Sequence, residues 1–163
     1  MTEKTLTFYS GSRQETVELG RKLGRLLERG DVIALSGELG SGKTCMTKGV
    51  ALGLGVSENE VVTSPSFTFM NEYEGRETLF HMDVYRLEHL SEFLGVGLDE
   101  YLGQSGVAVM EWADRWPEIL PEQTLHVRFA FLGDDKRALS FHARHPRAVE
   151  ILVGLERAVQ AME

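Results

Sequence analysis

Val32-Ile-Ala-Leu-Ser36 is a nearly continuous apolar run, and the next eight residues are Gly37-Glu38-Leu39-Gly40-Ser41-Gly42-Lys43-Thr44. Together they restrict the fold more than any other part of the chain. A short apolar run without alternation suits a strand buried on both faces. The turn after it matches G-x-x-x-x-G-K-[ST] in full. Glycines at these positions let the backbone curl so that successive N–H groups point into one anion-sized hollow. A helix starting at Lys43 adds the positive end of its dipole to the same point. Lys43 can then reach the terminal phosphates of a nucleoside triphosphate, and the Thr44 hydroxyl can ligate Mg²⁺. With 17 glycines in 163 residues, roughly 0.006 such matches are expected by chance, counting positions as independent.

The rest of the chain supplies the elements that this strand–turn–helix needs. Residues 6–9 read as a short strand. Ser12 with Glu15 forms a capping box, and Val17, Leu19, Leu23, Leu26 and Leu27 continue at helical spacing until Gly30. A helix follows the turn from about 43 to 54. Residues 67–74 and 77–84 flank Gly75-Arg76 and read as a β-hairpin. Residues 88–101 read as short helical pieces broken by Gly95 and Gly97, and 107–110 as another buried strand. Leu125, Val127, Phe129 and Phe131 alternate with more polar positions, as do Leu139, Phe141 and Ala143, with turn residues 133–135 between them. This is expected to be an antiparallel pair appended to a parallel core, closed by an amphipathic helix over about 146–161. The expectation is one domain over 1–163, a three-layer α/β P-loop fold with a mixed sheet.

A triphosphate site also needs carboxylates near the metal. Two apolar strands end in one, at Asp83 and at Glu111. Typical P-loop proteins place Asp where Glu111 stands; Glu reaches one methylene further, to bind metal through water or to position an attacking water. Thr63-Ser64-Pro65-Ser66-Phe67-Thr68 is a hydroxyl-rich loop about 20 residues beyond the turn, placed as a loop sensing the γ-phosphate would be. On spacing alone it reads first as a turn leading into a strand. His81 and His142 read as isolated strand residues, Cys45 as a small packing residue, and Trp112 and Trp116 as core or rim aromatics.

Composition narrows the classes. The net charge of −8 disfavours broad sequence-independent binding of nucleic acid, which needs clustered Lys and Arg. One cysteine excludes an internal disulfide, and no apolar stretch nears the roughly 20 residues of a membrane span. A cytoplasmic protein is expected. No Asn-Lys-x-Asp or Thr-Lys-x-Asp occurs, which favours adenine over guanine.

Five segments in order carry a resemblance: Gly37 to Thr44, Ser64-Pro-Ser-Phe67, Asn71-Glu-Tyr73, His81-Met-Asp-Val-Tyr-Arg86 and Glu111-Trp-Ala-Asp-Arg115. Over about 5–145 the chain resembles the bacterial TsaE family, formerly YjeE. The resemblance implies a small ATPase required for threonylcarbamoyladenosine at the tRNA adenosine beside the anticodon. It implies action with TsaB and TsaD, while TsaC supplies threonylcarbamoyl-adenylate; the acidic charge adds the expectation that the chain reaches tRNA indirectly, through that complex. ATP with Mg²⁺ would drive or reset the transfer complex.

The residue roles that follow are also implied. Gly37, Glu38, Leu39, Gly40, Ser41, Gly42, Lys43, Thr44, Cys45, Ser64, Ser66 and Trp112 would bind the nucleotide. Thr44, Asp83 and Glu111 would lie in the metal sphere, and Lys43 and Glu111 would serve hydrolysis. Ser66 stands where the family commonly has Thr, and 68–70 where aliphatic residues are usual. Two other readings remain open on the residues alone, a small-molecule kinase and a nucleotide-gated interaction module with negligible turnover. The 12 scattered arginines offer no compact lid of the kind a kinase uses.

Overall fold

The computed structural model describes residues 3–38, 42–65 and 69–161. Seven strands form one mixed sheet: β1 Lys4–Ser10, β2 Val32–Gly37, β3 Met70–Tyr73, β4 Leu79–Asp83, β5 Val107–Glu111, β6 Leu125–Gly133 and β7 Lys136–Ala143. The helices are α1 Arg13–Leu26, α2 Lys43–Gly53, α3 Leu90–Gly95 and α4 Pro146–Gln160, with short 3-10 turns at Leu98–Tyr101, Ala113–Arg115 and Pro117–Ile119. The strand order is β1-β7-β6-β2-β5-β4-β3. β6, β2, β5 and β4 run parallel, while β1, β7 and β3 are antiparallel to their neighbours.

β2 is buried on both sides because alternate residues feed two cores. Ile33 and Leu35 join α1, α2 and α4 on one face. Val32 and Ala34 join Phe80, Met82, Phe93 and Met110 on the other. The second layer stops at β2. Beyond it, Leu125, Val127, Leu139 and Phe141 still enter the first core, whereas Arg128 on β6 and Thr5 and Thr7 on β1 are exposed. Polar residues alternate with apolar ones there because only one face is covered.

The expected antiparallel pair toward the C-terminus forms, β6 with β7, and β6 joins it to the parallel core by pairing with β2, from Ile33–Leu125 to Gly37–Phe129. The alternation in β6 records its open face. Two expectations need correction. First, α1 ends at Leu26 rather than running to Gly30, which sits in the following turn at φ +97°. Its last carbonyls are taken by two distant arginines. Arg76 donates to the carbonyls of Gly24 and Leu27, and Arg147 to that of Leu26, so the helix end needs no glycine cap. Second, the cap at the start of α1 is shifted. Ser12 Oγ accepts from the Glu15 N–H at 3.1 Å, but the Glu15 carboxylate reaches back to Gly11 N–H at 3.2 Å, not to Ser12. The hairpin forms as expected over its described residues, 67 and 68 lying outside them, and so do the 88–101 pieces, β5 and the closing helix.

What fixes α2 behind the glycine turn is close helix packing. Gly20 and Gly24 of α1 face Gly49 and Gly53 of α2. A Cβ added at Gly49 would stand 2.0 Å from the Val17 carbonyl oxygen, and one at Gly53 2.3 Å from that of Arg21. Only hydrogen fits between these two backbones.

Candidate active site

The parallel strands β2, β5 and β4 end side by side, and the loops beyond their carboxyl ends form a cleft of about 610 Å³. Sites of open α/β sheets lie at such ends. Gly42, Lys43, Thr44, Cys45, Ser64, Asp83, Glu111 and Trp112 all line it. Leu39, Gly40, Ser41 and Ser66 fall outside the described residues. Gly37 and Glu38 take part through their carbonyls, described next.

Lys43 opens α2 behind Gly42, which caps the helix at φ +108°, a conformation that favours glycine. The Lys43 ammonium donates to the carbonyls of Gly37 at 2.8 Å and Glu38 at 2.9 Å and lies 3.8 Å from the centroid of the Trp112 ring. Burial pushes its pKa below the ordinary 10.5, against the opposing pull of Glu111, Asp114 and Asp83. An anion beside it would offset that cost.

Glu111 is the centre of the arrangement. It is 2% exposed and ends β5, directly opposite Asp83 at the end of β4. Thr44 Oγ1 lies 3.3 and 3.4 Å from its two carboxylate oxygens, and Ser64 Oγ lies 3.3 Å from one of them. Thr44 and Ser64 are themselves 2.9 Å apart. Nε2 of His81, a fully buried residue of β4, makes a short hydrogen bond to Glu111 Oε2. Since a carboxylate can only accept, His81 is the donor. Its Nδ1 has no partner among the described residues. Asp83 Oδ1 accepts from the Tyr85 N–H at 2.8 Å. Burial, then the neighbouring Glu111, raises the Asp83 pKa above the ordinary 3.8, while the Tyr85 N–H, His81 and Lys43 oppose the rise.

Can these residues take magnesium? No cluster of three or more His, Cys, Asp or Glu set for a metal ion occurs among the described residues. Hydroxyl and carboxylate oxygens of Thr44, Ser64 and Glu111 converge, with Asp83 adjacent, and all are hard donors. Mg²⁺ suits one or two carboxylates completed by water and phosphate oxygens, not a closed protein cage. The donor set fits that use.

The geometry also explains motifs that are only strings in the sequence. Tyr85 stacks on Trp112 with ring centroids 4.6 Å apart, and Arg115 donates to the Tyr85 carbonyl. Residues 81–86 and 111–115 are therefore two halves of one wall. Trp112 holds φ +64°, which swings its ring onto Lys43. Asn71 Nδ2 donates to the Thr63 carbonyl at 3.1 Å, and the Tyr73 hydroxyl accepts from the Thr63 N–H at 3.4 Å. The Asn-Glu-Tyr segment thus anchors the α2-side root of the Ser64 loop.

Sequence reasoning missed His81, read as an isolated strand residue, and also Tyr85, Arg13 and Arg137 of the cleft lining. For His81 a signal existed. It lies two residues before Asp83 on the same strand, so both side chains leave one face of β4. His142, by contrast, is a surface residue near Glu3.

The comparisons agree with this architecture. The model of the family described as "Threonylcarbamoyl adenosine biosynthesis protein TsaE" matches residues 10–139. A relative from Treponema pallidum, named tRNA threonylcarbamoyladenosine biosynthesis protein TsaE, is 47% identical over 80% of this chain and 96% of its own length. One of the same name from Bacillus subtilis is 43% identical over 86% of this chain and 87% of its own. The crystal structure of Bacillus subtilis YdiB superposes with a TM-score of 0.82 at 36% identity, covering 97% of this chain and 98% of that one. With this sheet and its family match over residues 10–139, the chain belongs to the TsaE family of tRNA threonylcarbamoyladenosine biosynthesis.

Proposed function

We propose that this TsaE protein binds ATP with Mg²⁺ in the cleft and hydrolyses it, acting in the cytoplasm with TsaB and TsaD to drive or reset their threonylcarbamoyl transfer complex. One observation carries the reading. Thr44 of the glycine-turn helix, Ser64 of the hydroxyl loop and Glu111 of β5 are hydrogen-bonded into one cluster beside Asp83 and Lys43. A hydrolase for a triphosphate needs those parts within a few ångströms: a cation for the phosphates, hard oxygens for the metal, and a carboxylate for water. The cleft volume suits a nucleotide-sized ligand.

In this reading Lys43 exchanges its contacts with the Gly37 and Glu38 carbonyls for phosphate oxygens. Thr44 and Asp83 hold the metal sphere, and Mg²⁺, when bound, supplies positive charge against the negative charge developing on the phosphates. Glu111, fixed by His81, orients a water whose oxygen bonds to the γ-phosphorus as the β–γ bridging bond breaks. ADP and inorganic phosphate leave. Ser64, tied to both Thr44 and Glu111, gives the loop a direct stake in whether a γ-phosphate is present, so docking to partners follows the nucleotide state. With a net charge of −8, the chain reaches tRNA through TsaB and TsaD and binds it weakly alone.

Phosphate release with the protein alone and with TsaB and TsaD added, alongside size-exclusion runs with ATP, ADP or no nucleotide, tests this. Partner-stimulated release and ATP-favoured complex are expected. Equal complex in all three conditions, with normal transfer in each, would sink the gating. Phosphorylation of a metabolite would identify a kinase instead.

A further inference from the structure

The sheet is covered on both faces only as far as β2. On the side away from α1, α2 and α4, the face of β6, β7 and β1 is bounded on one flank alone, by the 3-10 turns that follow β5. Between that wall and the strands lies a groove of about 350 Å³ that shares no lining residue with the nucleotide cleft. Strand pairing sets its floor in rows. Thr5, His142, His126 and Ala34 stand abreast across four strands, and Thr7, Ser140, Arg128 and Ser36 form the next row.

The charge on this face runs against that of the chain. The net charge is −8, yet Arg128, Arg144, His126 and His142 line the groove, and Asp114 is the only carboxylate among the described lining residues. Both arginines are exposed. Arg128 makes no ion pair among the described residues. Arg144 donates from Nε to Nε2 of His142 at 3.2 Å and lies 3.7 Å from Glu3 at the rim. Burial, then Arg144 and His142, holds the His126 pKa below the ordinary 6.5. The face thus resists further positive charge, and an anion on it would relieve the repulsion.

The rest of the lining says which anion. Ala34, Ala113, Pro117 and Leu120 give the groove an apolar side, and the small Ser140 stands between Arg128 and Thr7 in the middle of the floor. A phosphate backbone would pair with the arginines and leave the apolar side uncovered. Carboxylates carried on an apolar segment satisfy both. The space is the missing half of the second layer, where a helix would rest on small residues with its flank toward the arginines. We propose that this groove is a docking site for an acidic, amphipathic helical segment of a protein partner. The segment completes the second layer over β6, β7 and β1 and pairs its carboxylates with Arg128 and Arg144.

NMR titration of the full chain with three probes tests this: an amphipathic helical peptide of Leu and Glu, its Leu and Lys counterpart, and a single-stranded RNA oligonucleotide. The Leu/Glu peptide should shift the amides of β6, β7 and β1, saturate, and weaken as salt rises. R128E/R144E should weaken it about tenfold or more. S140W, which stands a ring on the floor of the groove, should weaken it without any change of charge. Both arginines are exposed, so R128E/R144E carries the test even if S140W fails to fold. No saturable shift with the Leu/Glu peptide, shifts confined to other elements, or undiminished affinity in R128E/R144E would overturn the proposal. So would tighter binding of the RNA at these strands, which would make the groove a nucleic-acid face. Equal binding of the Leu/Lys peptide would overturn it too, by reducing the contact to apolar surface. None of these readouts requires nucleotide, so they are independent of the ATP reading.

Discussion

Glu111 has four polar neighbours on three different segments, and its usefulness depends on which of them holds it and which it releases. His81 is the fixed one, because it is fully buried and its ring has no other hydrogen-bond partner among the described residues. Thr44 and Ser64 are the exchangeable ones, because their hydroxyls have one another as partners. On the proposed mechanism, E111A keeps ATP affinity but loses about a hundredfold or more of phosphate release, since water is oriented mainly in the transition state. H81L should lose about tenfold in rate at saturating ATP with little change in affinity, the usual scale for a group that orients a ligand residue. H81Q, whose amide nitrogen can stand near the Nε2 position, should recover part of it. An H81Q rate no better than that of H81L would reduce His81 to a packing residue. Asp83 lends itself to a pH test. Its folded pKa lies above 3.8, so the folded state holds its proton more tightly than the unfolded chain, and its ionisation costs stability as pH rises through that window. Asn keeps the oxygen that accepts from Tyr85. Nucleotide-free D83N should therefore be the more stable protein at pH 7, by about 1 kcal/mol at most because the site is half-exposed. The gain should vanish as pH falls toward 3.8. Thermal unfolding across pH checks it, and a gain that grew toward acid would reverse the assignment.

At the scale of elements, the position of the phosphate turn depends on α1 as much as on β2. Four glycines let α1 and α2 meet backbone to backbone, with Gly49 against the Val17 carbonyl and Gly20 against that of Met46. A methyl group at Gly49 would overlap backbone atoms that cannot rotate aside, so the helices must separate and take Lys43 and Thr44 with them. G49A should cost about 3 kcal/mol and weaken nucleotide binding as well, measured by denaturant unfolding and calorimetry. G95A is the control. It has nothing within 4 Å of an added Cβ and should stay within about 0.5 kcal/mol of wild type. A G49A protein as stable as G95A would mean the helices have room that their carbonyl contacts deny.

Across the whole molecule, α4 is tied to the sheet by a surface pair, Lys4 with Glu156 at 3.3 Å, and by a largely buried charged fork. Arg147 donates to Asp31 from Nε at 2.9 Å and from Nη2 at 2.8 Å, and it also reaches the Leu26 carbonyl at the end of α1. Asp31 is 4% exposed and accepts a further bond from the Glu28 N–H at 2.7 Å. One side chain thus joins the C-terminal helix, the end of α1 and the start of the glycine-turn strand. The Asp31 hydrogen bond is the largest of the influences raising the Arg147 pKa, so the guanidinium stays charged throughout the working pH range. R147M keeps much of the packing but leaves Asp31 buried without its partner. It should cost about 3 kcal/mol, whereas R21M, which removes an exposed helical pair with Glu18, should cost about 0.5 kcal/mol or less. Denaturant midpoints would compare them, and similar losses would show that the fork acts as an ordinary surface pair.

The sequence by itself determined the strand–glycine turn–helix, most of the element boundaries, the α/β class and the candidate residues Lys43, Thr44, Asp83 and Glu111. Each of these is written in local spacing: apolar runs, capping residues, glycines where the backbone must curl, a carboxylate at a strand end. The tertiary structure decided what local spacing cannot carry. Whether β6 runs parallel or antiparallel to β2 depends on a neighbour about 90 positions away in the sequence. The early end of α1 depends on Arg76 and Arg147, which arrive from elsewhere in the fold. The four glycines of α1 and α2 interrupt the apolar period that marks a helix, and only the partner backbone explains them. His81 looks like any strand residue until β4 is laid beside β5 with Glu111 at its end. Arg13 and Arg137 lie 124 positions apart and converge only because β1 and β7 pair at the edge of the sheet. Periodicity records which face of an element is buried, whereas partners are chosen when distant elements pack.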